Sequence, residues 1–163
     1  MQNPSQKITR SNAIRLFFTD TRFLIDGLPY PDLPMFVDVR TMRHLYLPTE
    51  WMIDLATCQA RCESPLSWKS YAYDLRGFFE FAIVKGFDWL HPEEMQIGHY
   101  GVDLTRQGRS RNHINQVMST ICRFYEWAAE RGSITTLALR YETVRLTQHG
   151  YFAHIQDKKK LSA

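Results

Sequence analysis

The sequence predicts a mostly α-helical domain of about four helices, preceded by an irregular or small β segment. Two long stretches, 64–86 and 110–132, place apolar residues at helical spacing, as expected for amphipathic helices that pack around a core. The chain has 163 residues, of which 44% are hydrophobic and 23% are charged. This length and composition are typical of one globular domain with extensions, and they exclude a disordered chain.

Residues 1–21 form a polar, slightly basic segment in this prediction. The segment contains the basic residues Lys7, Arg10 and Arg15 and only one acidic residue, Asp20. Two interpretations stay open: a frayed terminus, or a flexible arm that touches DNA.

Residues 22–47 carry β-structure signals. An Asp26-Gly27 turn and three prolines precede a short apolar run, which predicts a short hairpin or an extended segment. A first helix is then predicted from about Pro48 to Gln59. Its inward side is expected to carry Trp51, Met52, Leu55 and Ala56.

The stretch 64–86 predicts the clearest helix. Ser64 or Ser67 can cap its start, and Gly86 suits its end because glycine readily adopts the left-handed conformation of a C-terminal cap. The apolar residues at helical spacing are Trp68, Tyr71, Ala72, Leu75, Phe78, Phe79, Ala82 and Ile83. A shorter helix, 92–105, is predicted to follow.

The stretch 110–132 predicts a second long helix between a capping Ser110 and Gly132. One side carries Ile114, Val117, Met118, Ile121, Phe124, Tyr125 and Ala128. The opposite side carries Asn112, Asn115, Gln116, Ser119 and Arg123.

Charge is distributed unevenly along this helix. From Arg106 through Arg123 there are four arginines and no Asp or Glu, whereas solvated helix faces usually mix both signs. Arg, Asn, Gln and Ser side chains bind phosphates and base edges, and a phosphate backbone repels carboxylates. His113 can meet a phosphate or simply be solvated. The alternative for the whole face is a polar surface that happens to lack acids.

The sequence gives little support for a metal site, a catalytic site or a cofactor site. Cys58 and Cys62 stand four residues apart, but no second Cys or His pair completes a zinc site, so packed cysteines are expected. The sequence has no glycine-rich phosphate loop, G-x-S-x-G elbow or H-E-x-x-H motif, and we expect no cofactor, metal or small-molecule substrate. Without a signal peptide, a membrane span or a disulfide framework, a cytoplasmic protein is expected.

The order of several motifs resembles the SAM-like core-binding domain of tyrosine recombinases and phage integrases. The resemblance covers residues 64–134. In the first core helix the matching residues are Ser67, Tyr71, Asp74-Leu75 and Phe78. In the long helix they are Gly108-Arg109-Ser110, Ser119, Arg123 and Phe124-Tyr125. The Asn-Pro that commonly follows in the family is replaced by Thr135-Thr136.

The resemblance implies a domain that clamps duplex DNA together with a C-terminal catalytic domain and other recombinase protomers. Family catalysis uses a tyrosine nucleophile, two arginines, a His-x-x-Arg element and a lysine. Because His-x-x-Arg is missing here, we expect no catalysis on this chain and no nucleophilic role for Tyr141 or Tyr151. The implied segments are an N-terminal arm and extension in 1–62, the core-binding domain in 63–134, and a linker toward an absent catalytic domain in 135–163.

DNA-facing residues are expected on both long helices. On the first they are Lys69, Tyr73 and Arg76, and on the second Arg109, Arg111, Asn112, Asn115, Gln116, Ser119 and Arg123. Gly77 would either let a phosphate approach the backbone or provide a helix contact. The alternative function is a helical protein–protein interaction module without DNA binding, which an exposed apolar patch in place of the polar face would favour.

Overall fold

The computed structural model describes residues 12–58 and 64–134. Within them, five short strands and four helices follow one another along the chain. The elements are β1 (Ile14–Phe18), β2 (Leu24–Ile25), β3 (Leu28–Pro29), β4 (Pro34–Asp38), β5 (Arg43–His44), α1 (Tyr46–Thr57), α2 (Pro65–Lys85), α3 (Glu94–Arg106) and α4 (Arg111–Glu130). The predicted four-helix domain with a small N-terminal β segment is confirmed.

The strands form two small antiparallel sheets. β4 lies between β1 and β5, and β2 pairs with β3 in a hairpin. The two residues of the hairpin turn, Asp26 and Gly27, have φ angles of 52° and 79°. Positive φ angles at both central residues are characteristic of a type I′ turn. The backbone of such a turn has a twist that matches the right-handed twist of the flanking strands. The β signals found in residues 22–47 are therefore confirmed.

β1 corrects the prediction of a polar arm over residues 1–21. The strand pairs with β4, packs against α2 and begins at a fully buried Ile14. Burial of its inward side chains stabilises the strand, while the basic Arg15 stays exposed. Lys7 and Arg10 lie outside the described residues.

Local capping sets the ends of the helices. The hydroxyls of Ser64 and Ser110 each accept a hydrogen bond from the backbone N–H three residues later, at the starts of α2 and α4. Gly86 ends α2 in the left-handed conformation, with φ 75°. At the start of α3, the backbone N–H of Glu93 donates to the side chain of Gln96 at 2.8 Å. The ends of both long helices agree with the prediction.

One hydrophobic core joins the strands and all four helices, with α2 in contact with α1, α4, β1 and β4. The ring of Phe79 on α2 lies 6.1 Å from that of Phe36 on β4 and 5.9 Å from that of Phe124 on α4. Trp51 on α1 lies 5.5 Å from Phe124. Because these rings commit the apolar sides of α2 and α4 to the core, their polar sides face outward.

Candidate nucleic-acid interface

The flanks of α2 and α4 meet along one surface and are linked by hydrogen bonds. The pairs are Gln116 Nε2 to Ser70 Oγ (3.0 Å), Thr120 Oγ1 to Asp74 Oδ2 (3.0 Å) and Arg123 Nη1 to Tyr71 Oη (2.9 Å). The three donors lie three or four residues apart on α4 and therefore share one face of that helix. This row sets the position of α4 against α2, and we call the polar surface along it the α2–α4 surface.

Arg123 is half-buried on this surface and lies over an aromatic ring. Its guanidinium carbon is 5.0 Å from the ring centroid of Tyr71, whose hydroxyl accepts the hydrogen bond described above. A cation over a ring face gains electrostatic attraction, and the hydrogen bond fixes its direction. Arg123 is therefore presented at the junction of the two helices in one orientation.

The other predicted residues of α4 differ in exposure. Arg111, Asn112 and Gln116 are exposed, whereas Ser119 and Asn115 are half-buried. The Oδ1 atom of Asn115 is buried, and no described residue bonds to it. Since this oxygen is enclosed, the amide nitrogen is the group that Asn115 can offer to a ligand, and it is a donor.

Lys69 lies on the part of α2 that is near β1. Its Nζ is 3.0 Å from Asp32 and 5.3 Å from the ring centroid of Phe18. Tyr73 is 54% exposed, and its ring is 6.4 Å from that of Phe18. The strand region thus contributes an aromatic side chain to the edge of the α2–α4 surface, which the sequence prediction did not include.

A cleft of about 280 Å³ opens between α2, α3 and α4. Three predicted residues, Tyr73, Arg76 and Arg109, line it together with His113. The acidic members of its lining, which the sequence prediction missed, are Asp74, Glu80 and Asp103. Each of these three residues is only 8% exposed. The lining of the cleft therefore contains both basic side chains and acidic residues, and the acidic residues are buried.

Asp74 has an unusual environment for a carboxylate. Burial raises its pKa to about 6, while the hydrogen bond from Thr120 and the charge of His113 act in the opposite direction. Glu80 accepts a hydrogen bond from Arg76 at 3.2 Å. No local signal identifies the pairing of Asp74 with Thr120, because the two residues are 46 positions apart in the sequence.

Gly77 provides a helix contact, so its interpretation as a point of phosphate approach is wrong. A Cβ atom built on Gly77 would lie 2.6 Å from the hydroxyl oxygen of Tyr100 on α3. The Tyr100 side chain occupies the space that a phosphate would need. Glycine at this position leaves room for the Tyr100 hydroxyl of α3 against the surface of α2.

Several sequence features fall outside this surface. Cys58 is exposed, and Cys62 lies outside the described residues. In the described part of the chain, no three His, Cys, Asp or Glu side chains are grouped so as to hold a metal ion.

No helix in that part has the length and apolar character needed to cross a membrane. Tyr141, Tyr151 and the rest of the predicted linker, 135–163, also lie outside the described residues.

Comparison with known protein families identifies a domain within this helical region. Residues 52–132 match the family described as phage integrase, N-terminal SAM-like domain. The chain carries an integrase SAM-like domain. The resemblance found in the sequence is confirmed, and the match begins inside α1 rather than at residue 64. No curated protein and no solved structure matches the chain significantly.

Proposed function

We propose that the integrase SAM-like domain binds duplex DNA through the α2–α4 surface during site-specific recombination or integration. The observation that carries the proposal is the charge of α4 where it adjoins α2. From Arg111 through Tyr125 the helix has arginines and amides but no carboxylate. Such a face attracts phosphates and offers hydrogen bonds to base edges.

The acids beneath this surface are compatible with DNA binding. Asp74, Glu80 and Asp103 accept hydrogen bonds from Thr120, Arg76 and Gln107, respectively. All three are largely buried, whereas Arg109 and Arg111 are exposed. A phosphate backbone resting on the surface would therefore meet the arginines first.

The proposed contacts divide by chemistry. Phosphates would be bound by the cationic side chains and by the Tyr73 hydroxyl, and the cations are Lys69, Arg76, Arg109, Arg111 and Arg123. Base edges or sugars would be met by the uncharged polar side chains of α4, which are Asn112, Asn115, Gln116 and Ser119. The bond from Gln116 to Ser70 holds that amide in place before DNA arrives.

Strand cleavage is proposed to depend on a separate catalytic domain and on further recombinase protomers that share the DNA. The comparison finds only the non-catalytic SAM-like domain, in residues 52–132. The sequence also has no His-x-x-Arg element. The contribution of this chain would then be to position DNA.

A protein–protein interaction module is the second candidate function. Large apolar side chains are exposed in the strand region and at the start of α1: Phe17, Leu24, Leu28, Met42 and Tyr46. A protein partner would gain most by covering these side chains. They belong to elements other than α2 and α4, so such a contact would leave the α2–α4 surface available for DNA.

Salt-dependent binding to a mixed-sequence duplex tests the DNA proposal. We expect affinity, measured by fluorescence anisotropy, to fall steeply as salt rises, because arginine–phosphate contacts release counterions. Arg109→Ala combined with Arg111→Ala should weaken binding and reduce the log–log salt slope by about two contacts. A variant that removes Arg22 and Arg40 from the strand region loses the same charge and should bind as the parent does. Binding that is insensitive to salt, or equally weakened in both double variants, would contradict the proposal.

A further inference from the structure

The cleft between α2, α3 and α4 has the size and walls of a site for one flat ring. Its volume of about 280 Å³ is just below that of sites for drug-sized molecules, which span about 300–1,000 Å³. Apolar wall residues include Phe81, Leu104 and Val117, and Tyr73 supplies an exposed aromatic ring. These features suit a planar group with apolar faces better than a bare phosphate.

Asp74 gives the cleft a hydrogen-bond acceptor with unused capacity. Asp74 lines the cleft, and only 8% of the residue is exposed. Thr120 donates to Oδ2, and no hydrogen bond from a described residue reaches Oδ1. Oδ1 is therefore available to accept a hydrogen bond from a ligand in the cleft.

The remaining charges of the lining indicate how such a ligand would be attached. Arg76 and Arg109 line the same cleft and can bind phosphates on either side of an inserted group. The carboxylates would repel a phosphate within the cleft, whereas the N–H groups of a nucleobase would be attracted. Enzymes that extrude a base hold it in this way, by stacking against aromatic or apolar side chains and by hydrogen bonds to its pairing edge.

We infer that this cleft accepts one unpaired nucleobase of the bound DNA, with a preference for bases that carry an amino group. The inference rests on the proposed DNA binding and deepens it. Cytosine, adenine and guanine carry an exocyclic amino group that can donate to Asp74. Thymine has only its ring N3–H, which lies between two carbonyl oxygens that the acids of the cleft would repel. Stacking on Tyr73 would stabilise the extruded base, because each base stacked on an aromatic ring strengthens binding.

A duplex with a single unpaired cytosine tests the inference. We expect the parent chain to bind this bulged duplex about fivefold or more tightly than the fully paired one, in line with the lower limit for stacking one base on an aromatic ring. A thymine bulge should gain less. Asp74→Asn should reduce the difference between the cytosine and thymine bulges, because the amide replaces one acceptor oxygen with a donor nitrogen.

A matched pair of substitutions separates the cleft from general effects of a bent duplex. Val84 and Val102 are both helical and 45% exposed, but only Val84 is part of the cleft lining. Val84→Trp should fill the cleft and abolish the bulge preference while binding to paired duplex persists. Val102→Trp should keep the preference. Equal affinity of the parent for bulged and paired duplexes, or equal effects of both tryptophans, would overturn the inference and leave salt-dependent duplex binding standing.

Discussion

Arg123 of α4 donates a hydrogen bond to the hydroxyl of Tyr71 on α2 at 2.9 Å, and its guanidinium carbon lies 5.0 Å from the same ring. The two residues are 52 positions apart in the sequence, and both stand at positions where the sequence resembles integrase motifs. Their contact joins the two helices on their polar flanks. It therefore links packing of the domain to the orientation of a cation on the proposed DNA surface.

Tyr71→Phe keeps the ring beneath the guanidinium and removes the hydroxyl. We expect the free energy of unfolding to fall by about 1 kcal/mol, the usual net value of one hydrogen bond. DNA affinity should change by less than about threefold, because the cation–ring contact remains. Urea unfolding and anisotropy titrations measure the two effects, with the exposed Tyr46→Phe as control. A loss of DNA binding as large as that caused by Arg123→Ala would show that this account of the ring contact is wrong.

Asn115→Ala should change sequence preference more than affinity for DNA in general. The substitution removes the amide donor that is proposed to contact a base edge, and a base contact of this kind discriminates by about 1 kcal/mol. It also removes a buried carbonyl oxygen to which no described residue bonds, so stability should not fall. Selection from randomised duplexes, followed by sequencing, should show relaxed preference at one position. A uniform loss across sequences with a lower salt slope would instead indicate a phosphate contact.

Stability should depend on pH through Asp74. Burial raises the pKa of Asp74 to about 6 from its usual value of 3.8. Between these values the folded state binds more protons than the unfolded state, so this residue's contribution to stability falls as pH rises from about 4 to above 6. At neutral pH the ionised carboxylate costs up to about 3 kcal/mol, because each tenfold change in proton affinity corresponds to about 1.36 kcal/mol.

Asp74→Asn isolates this contribution because its amide oxygen can still accept from Thr120. We expect the variant to be more stable than the parent at pH 7.5 and to lose this advantage near pH 4. Denaturant unfolding of both proteins at the two pH values gives the comparison. A difference in stability that is independent of pH would contradict the assigned environment of Asp74.

No covalent protein–DNA intermediate is expected on this chain. The comparison finds a non-catalytic domain, and Tyr141 and Tyr151 lack a recognisable His-x-x-Arg partner in the sequence. Incubation with a nicked suicide duplex should leave no adduct on a denaturing gel. An adduct that disappears when either tyrosine is changed to Phe would place catalysis on this chain after all.

The helices could be predicted from sequence because their signals are local. Ser64, Gly86 and Ser110 act within one turn of the helix ends that they define. Apolar periodicity identified the buried sides of α2 and α4 for the same reason. β1 was missed because its apolar run is short and is interrupted by Arg15. Its stability comes from pairing with β4 and packing on α2, which are contacts between distant segments.

The candidate site was only partly predictable. Charge along the sequence identified α4, but the acids of the cleft come from other helices, and only folding places Asp74 beside Thr120. Periodicity placed Gly77 on the polar side of α2 without showing that α3 approaches it. Both features depend on contacts between residues that are far apart in the sequence. Such contacts cannot be predicted from the local pattern of a single sequence.

The most direct test of DNA binding by α4 compares Arg123→Ala with Glu130→Ala. Glu130 is exposed in the last turn of the same helix. After equal helicity and similar unfolding midpoints show that both variants fold, duplex affinity is measured over a series of salt concentrations. We expect Arg123→Ala to weaken binding and lower the salt slope by about one phosphate contact, while Glu130→Ala does neither. If both folded variants bind DNA as the parent does, the polar face of α4 is only a solvated surface.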